Sequence, residues 1–455
     1  MRRFLVAMSL LLFWSSAMAQ KIVTASERKE RSQIADEMAK SVTTELLDKY
    51  YPQNVDSVDG GFITTYTFDF KPVGPQDKFI VTQARHTWTT AKASEDYPQK
   101  AFYLKISEHG FRFLRDVMWD KKHGGFYNLV DRQGRNKSNL RSPKEAYGNA
   151  FGIYALAAYY KASKDTGALS LAKKAFRWLE NHSHDAVHKG YYQHLKEDGT
   201  PILRDKTVST NAATGYKDQN SSIHLLEALT ELYGVWPDPL VRARLEEMLY
   251  LIRDKMVTKK GYLALYFTAD LMPISFRDSS EAFIRQNKNL DHVSFGHDVE
   301  TAFLMLEASH ALGIKNDEAT ITVGKRMVDH ALQNGWDSTL GGFYNEGYYF
   351  KNKQGITILF DSKNWWAQAE GLNTLLLMAD RFPNDPMRYF EKFKQLWRYV
   401  QTYLIDHVNG DWYEEGLDKE PQRRTALKAH IWKATYHNYR ALANCIKRLR
   451  KAEHE

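Results

Sequence analysis

A chain of 455 residues, 43% of them hydrophobic, has apolar material for two or three ordinary domains or for one large closed fold. Its single cysteine, Cys445, excludes an intrachain disulfide, so stability must come from core packing. The formal charge of +8 is spread along the sequence without a basic block of the kind that tracks phosphates, which argues against nucleic acid as a partner.

The N-terminus reads as an export signal. Arg2 and Arg3 form a basic start, Phe4 to Trp14 an apolar core, and Ala17-Met18-Ala19 a small-x-small cleavage site. That core is shorter than the roughly 20 apolar residues that span a bilayer, and no later stretch approaches a span. The expectation is a leader over 1–19 whose loss leaves a charge of +6, then a single domain over 20–455. Its destination is the periplasm or the exterior, without membrane attachment, as a monomer or weak dimer.

Beyond the leader a glycine–aromatic signature recurs at Gly60-Gly61-Phe62, Gly124-Gly125-Phe126-Tyr127, Gly190-Tyr191-Tyr192, Gly261-Tyr262, Gly341-Gly342-Phe343-Tyr344 and Gly410-Asp411-Trp412-Tyr413. Copies lie roughly 65 to 80 residues apart, a period that marks one supersecondary unit used repeatedly. Glycine supplies a tight turn and the aromatics suit a short strand. Two helical patterns per unit fill the intervals, over 24–50, 79–92, 97–119, 144–163, 166–183, 218–234, 238–256, 293–313, 315–333, 363–381, 386–406 and 428–449. Helices before a signature carry a charged face. Those after one, such as Ile223-His224-Leu225-Leu226-Glu227-Ala228-Leu229, are apolar nearly all round and therefore buried. Six outer and six inner helices joined at one rim by glycine hairpins describe an all-α (α/α)6 toroid.

Polar residues on the inner helices are the informative ones, because burying them without partners is costly. They are Arg85, Tyr147, Asn220, His224, His297, Glu300, Trp366, Glu370, Trp432 and His437. His224–Glu227 and His297–Glu300 share a three-residue spacing that puts imidazole and carboxylate on one helix face, where the acid orients the base. A metal site is the rival reading of such a ligand set, although no His-Glu-x-x-His is present. His182, His184, His188 and His194 gather around the third hairpin, and Asp298 with Asp361 offers a carboxylate pair of the type that cleaves glycosides. Phosphate loops, a Gly-x-Ser-x-Gly elbow and dinucleotide fingerprints are absent. Trp365-Trp366, Trp412 and Trp432 near the rim offer flat faces to sugar rings.

Five segments, in order, resemble motifs of the N-acylglucosamine 2-epimerase superfamily. They are Gln83-Ala84-Arg85-His86-Thr87-Trp88, Asn220 with His224-Leu225-Leu226-Glu227-Ala228, Phe295-Gly296-His297-Asp298-Val299-Glu300, Trp365-Trp366-Ala367-Gln368-Ala369-Glu370 and Trp432-Lys433-Ala434-Thr435-Tyr436-His437-Asn438. The third and fifth are most similar to the cellobiose/mannobiose 2-epimerase branch. The chain departs from that branch at Ala434-Thr435, where a cysteine–proline pair is usual, and at Ser221-Ser222. The resemblance implies an (α/α)6 barrel, no metal or organic cofactor, and interconversion of glucose and mannose at the reducing end of a β-1,4-linked disaccharide. It also implies roles: His297 and His437 as acid and base, and His224 in ring opening. Arg85, Tyr147, Asn220, Glu300 and Glu370 would then line the sugar site, and Trp366 and Trp432 would stack on rings. An aldose–ketose isomerase of mannose or a related monosaccharide is the first alternative, ahead of a hydrolase or lyase and of a non-catalytic sugar-binding protein.

Overall fold

The computed structural model describes residues 25–137, 143–205, 207–209 and 212–451, so the export signal read from the sequence lies outside the described residues. Thirteen helices are labelled in chain order. The first seven are α1 Ala25–Lys40, α2 Ile80–Asp96, α3 Phe102–Phe113, α4 Ala146–Ser163, α5 Thr166–His182, α6 Gln219–Val235 and α7 Pro239–Leu251. They are followed by α8 Glu281–Gln286, α9 Phe295–Ala311, α10 Glu318–Asn334, α11 Trp365–Arg381, α12 Tyr389–Tyr399 and α13 Tyr436–Lys451.

Helices α2, α4, α6, α9, α11 and α13 form the inner ring: each packs on the next, and α13 returns to α2. Outer helices α3, α5, α7, α10 and α12 each cover the inner helix that precedes them, while α1 covers α13 and so brings the two ends of the fold together. This is the closed (α/α)6 toroid that six repeats predict. Sequence explains the division of labour. Helix α4 is buried without interruption from Ala146 to Tyr159, whereas α5 buries only the stripe containing Leu171, Ala175, Phe176 and Leu179. Outer helices α1, α3, α7 and α12 run on into wider π-helical turns at Ser41–Leu47, Leu114–Met118, Ile252–Met256 and Val400–Leu404, a feature that hydrophobic periodicity does not reveal. No helix among the described residues is long and apolar enough to cross a membrane.

All six glycine signatures form hairpins, closed by the bridges Val55–Phe62, Trp119–Phe126, His184–Tyr191, Val257–Leu263, Trp336–Phe343 and Ile405–Trp412. Left-handed glycines are required in the second of them: Gly124 and Gly125 have φ of +73° and +74°, and a Cβ on Gly125 would stand 2.7 Å from the Trp178 indole. Short antiparallel ladders then pin the start of four inner helices to the same rim. They pair β1 (Lys78–Phe79) with β2 (Leu129–Val130), β3 (Lys144–Glu145) with β4 (His194–Leu195), and β5 (Lys217–Asp218) with β6 (Tyr266–Phe267). The fourth joins β7 (Val293–Ser294), β8 (Glu346–Tyr348) and β9 (Thr357–Phe360).

Five rim hairpins share a device that the motif search did not isolate. An aspartate at the turn accepts backbone N–H groups of the turn through one carboxylate oxygen and a buried lysine through the other. The pairs are Asp56–Lys78 at 3.0 Å, Asp120–Lys144 at 2.6 Å, Asp185–Lys217 at 2.8 Å, Asp337–Lys363 at 2.7 Å and Asp406–Lys428 at 2.7 Å. The fourth hairpin has Thr258 at the turn and Val293 ahead of its inner helix, so it lacks the clamp. That unit carries instead the extra helix α8, the third strand β9 and a small apolar cluster of Ile284, Tyr348 and Phe350.

One element differs from expectation. The last helix begins at Tyr436 rather than near 428, because Lys428 and Lys433 are drawn to Asp406 and Asp411 and hold residues 428–435 as an irregular rim segment. Trp432 therefore stands on the rim and not on a funnel-facing helix.

Candidate active site

Every inner helix starts at the hairpin rim, so its first turns deliver side chains into one central funnel. Arg85 from α2 lies with its guanidinium 4.6 Å from the Phe151 ring and 4.9 Å from the Tyr436 ring, and donates to the Tyr147 hydroxyl at 3.2 Å and the Trp432 carbonyl at 3.0 Å. Tyr147 from α4 packs on the His224 ring at 5.3 Å, and the Asn220 side chain reaches its phenol. Trp432 leans on Phe79 and Tyr147, at 4.7 and 6.4 Å, and keeps 47% of its surface exposed: a wet aromatic face at the mouth.

The two histidines singled out by the motifs meet at Trp366. Its indole lies 4.7 Å from the His297 ring and 5.9 Å from the His437 ring. Gly296 makes this possible, since a Cβ there would stand 2.7 Å from the Trp366 ring. Nδ1 of His297 lies 2.9 Å from the Ser294 hydroxyl, and Nδ1 of His437 lies 2.7 Å from Oε1 of Glu370. In each case Nε2 is the remaining nitrogen, and a second-position partner of this kind fixes the ring's orientation. His224 follows its predicted pairing, with Nδ1 2.9 Å from Glu227.

The predicted His297–Glu300 pair does not form. Glu300 turns instead to Arg440 at 2.7 Å and sits 4.0 Å from Nδ1 of His437, while Ser294 takes Nδ1 of His297. Arg440 is the buried charge at the centre of this cluster that motif reading missed. From α13 it reaches Glu227, the Tyr436 hydroxyl, Glu300 at 2.7 Å and Glu370 at 2.6 Å. The signal was present: Arg440 is a charged residue in the otherwise apolar run Tyr439-Arg440-Ala441-Leu442, one turn after His437.

Electrostatics sort these groups. Burial, helped by the charges of His224 and His292, lowers the His297 pKa to about 3, and burial with Arg85 and Arg440 holds His437 well below its ordinary value. Burial raises Glu300 and Glu370 to about 7. Glu227 feels the same burial, but Arg440 and His224 outweigh it and keep its pKa at about 2. Burial, opposed by Arg85, pushes Tyr147 up to about 12.

The other candidates do not converge. His184 bonds Glu247 at 2.8 Å, His188 bonds Asp185 at 3.3 Å, His182 packs on Trp178 and His194 lies in β4, so the four histidines of the third hairpin have separate partners. Asp298 is buried and accepts the Leu263 N–H at 2.9 Å, the position from which Gln83, Asn149 and Gln368 hold the corresponding hairpins. Asp361 lies exposed and paired with Lys419. The glycosidase-type carboxylate pair is therefore not assembled. Ligand atoms of Glu300, Glu370 and His437 do lie within 4.8 Å of one another, but the Arg440 guanidinium already bonds both carboxylates.

Comparison with known proteins places the chain in a family. The N-acylglucosamine 2-epimerase family model matches residues 61–441. The cellobiose 2-epimerase of Bacteroides fragilis is 29% identical over 414 residues, which is 90% of this chain and 97% of that protein. A D-mannose isomerase of Thermobifida fusca is 24% identical over 346 residues, 73% of this chain and 77% of its own. Among solved structures, the cellobiose 2-epimerase of Spirochaeta thermophila superposes with a TM-score of 0.78 at 28% identity, covering 94% of this chain and 99% of that one. The match over most of the chain shows that this protein belongs to the N-acylglucosamine 2-epimerase family.

Proposed function

We propose that this protein is a carbohydrate 2-epimerase that inverts C2 of the reducing-end aldose of a β-1,4-linked disaccharide or short oligosaccharide of the cellobiose or mannobiose type. The observation that carries the reading is the pair of imidazoles, His297 and His437, set against one indole in one funnel. The cellobiose 2-epimerase and D-mannose isomerase relatives support the wider class of carbohydrate epimerase or isomerase.

The reacting sugar must first open, and in this reading His224, oriented by its bond to Glu227, moves the anomeric hydroxyl proton. The aldehyde so exposed acidifies the hydrogen on C2. One histidine removes it as a neutral base, a role suited to an imidazole whose protonation burial opposes, and a positioned base is worth roughly 10²–10⁴ in rate. The cis-enediolate carries its charge on oxygen, where Arg85 and the Tyr147 hydroxyl supply a fixed cation and a hydrogen-bond donor. The second histidine returns a proton to the opposite face of C2. Trp366 forms the floor under the reacting ring, and the exposed Trp432 face receives the next sugar. An exported enzyme of this kind meets oligosaccharides before uptake.

A second reading, aldose–ketose isomerisation of mannose, is favoured by the D-mannose isomerase relative and needs only delivery of the proton to C1. Incubation of glucose, mannose, cellobiose and mannobiose in D₂O, followed by NMR, tests both. Deuterium at C2 with an epimeric aldose supports the first, and deuterium at C1 with a ketose supports the second. Cleaved products, or binding with no exchange at carbon, would sink the proposal.

A further inference from the structure

Two-sided proton transfer leaves a chemical problem in this funnel. One histidine must begin each turnover protonated, yet both stand where burial and neighbouring guanidinium or imidazole groups oppose a positive charge. The proton needs a holder. Around His437 the inner helices present Arg85 from α2, Tyr147 and Tyr154 from α4, and His224 and Glu227 from α6. Helix α9 presents His297 and Glu300, α11 presents Glu370, and α13 presents Tyr436 and Arg440. Three carboxylates thus face two guanidinium groups in a buried space, one negative charge in excess. A buried charge without a counter-charge is costly, and one proton on the cluster removes the excess. Oε2 of Glu370 is buried with no partner, so the carboxylate charge is met on one oxygen alone: Oε1 lies 2.6 Å from the Arg440 guanidinium, which Glu300 and Glu227 share, and 2.7 Å from His437 Nδ1.

We propose that Glu370, charged through Glu300 and Arg440, is a positioning residue that stores the exchangeable proton of the acid step, so that the working acid is the Glu370–His437 dyad rather than the imidazole alone. The inference rests on the two-histidine reading above. In the protonating direction the His437 Nε2–H bond breaks as the C2–H bond forms, and the Glu370 proton passes to Nδ1. The dyad ends as a neutral imidazole and a carboxylate. In the opposite direction Nε2 takes the C2 proton while the Nδ1 proton returns to Glu370. No electrons change hands, and solvent refills the dyad between turnovers. Arg440 sets how tightly the proton is held. It bonds both Glu300 and Glu370 and also reaches Glu227, so the proton load at His437 is linked to the carboxylate that orients His224.

Two measurements test this. Infrared difference spectra of the ligand-free wild-type protein, titrated through neutral pH, should show protonated-carboxyl absorption that disappears with rising pH and that loses the Glu370 component in Glu370→Gln, while Glu300 still contributes. A wild-type spectrum without that absorption, or absorption of unchanged intensity in Glu370→Gln, would overturn the assignment whether or not the protein turns over sugar. In pH profiles of kcat for C2 exchange, Glu300→Gln removes a negative charge and should move the alkaline limb to lower pH by about one unit or more, whereas Arg440→Gln should move it to higher pH. Arg440→Lys keeps the charge and should restore the wild-type limb. Variants that lower kcat with an unmoved limb would show a purely structural cluster. If the wild-type protein exchanges no deuterium with any sugar, the two-histidine reading fails, and the infrared result still stands on its own.

Discussion

The buried carboxylates of the rim and of the funnel have similar surroundings on paper and opposite electrostatics. At the rim each aspartate has a lysine of its own and backbone N–H donors on its other oxygen, and Asp120, despite burial, is held at about 2. In the funnel Glu300 and Glu370 share one guanidinium that Glu227 also claims, and they rise to about 7. Burial pushes all of these carboxylates up, and the donors each one has decide whether the push is offset, which separates an ion pair that holds a hairpin from a group that can carry a proton at neutral pH. The largest expected effect breaks the funnel side of this contrast. His437→Asn keeps a side-chain amide near Glu370 but cannot take a proton, and should lower kcat/KM for C2 exchange roughly 10²–10⁴-fold with little change in the unfolding temperature. A variant retaining full exchange would remove His437 from the reaction.

The rim side should break the other way. Lys144 donates to Asp120, the Gly124 carbonyl and the Glu197 carbonyl, and its side chain is fully enclosed. Lys144→Met strands Asp120 without its amine and should cost roughly 3–5 kcal/mol in chemical unfolding, while kcat/KM per folded molecule stays at the wild-type value. A large kinetic effect without loss of stability would place the clamp in the chemistry. Between these lies Gly296→Ala, whose added Cβ meets Trp366 at 2.7 Å and the Ala367 Cβ at 2.6 Å. Overpacking of that kind costs about 1–3 kcal/mol, and the displaced indole should raise KM for the sugar more than it lowers kcat.

Much of this was legible in the sequence, and the gaps have physical causes. Six glycine–aromatic copies gave the six hairpins, and apolar runs such as Ile223–Leu229 gave the inner ring, because both signals are local in the chain. The His224–Glu227 pairing was local as well and formed. His297–Glu300 has the same spacing and did not, since Ser294 and Arg440 compete for its two members and only the closed ring brings Arg440 there. His437 found its carboxylate on another helix, a contact 67 residues apart that no periodicity encodes. The clamp aspartates do carry a sequence signal: Asp56, Asp120, Asp337 and Asp406 each precede a signature glycine by four residues and Asp185 by five, with Thr258 in the fourth copy breaking the pattern. Trp432 was misplaced on a helix because the helical pattern over 428–449 carries no local sign that Lys428 and Lys433 pair with the distant Asp406 and Asp411.

The contrast between rim and funnel also fixes the sign of a pH dependence. A carboxyl group whose folded pKa lies below its ordinary 3.8 stabilises the fold above that value and loses the contribution as pH falls, so the gap in stability between wild type and Asp120→Asn should shrink on acidification below about 4. Glu300 moves the opposite way, from 4.5 up to about 7. Between those values the folded protein holds a proton that the unfolded chain has released, so rising pH removes stability from the wild type and not from Glu300→Gln. Paired urea titrations across that window should show the wild type losing ground to the variant by up to about 1 kcal/mol per pH unit, with no further change above neutrality. A gap that stays flat between 4.5 and 7 would mean that Arg440 keeps Glu300 ionised throughout, and the funnel would then be no more than a sixth clamp.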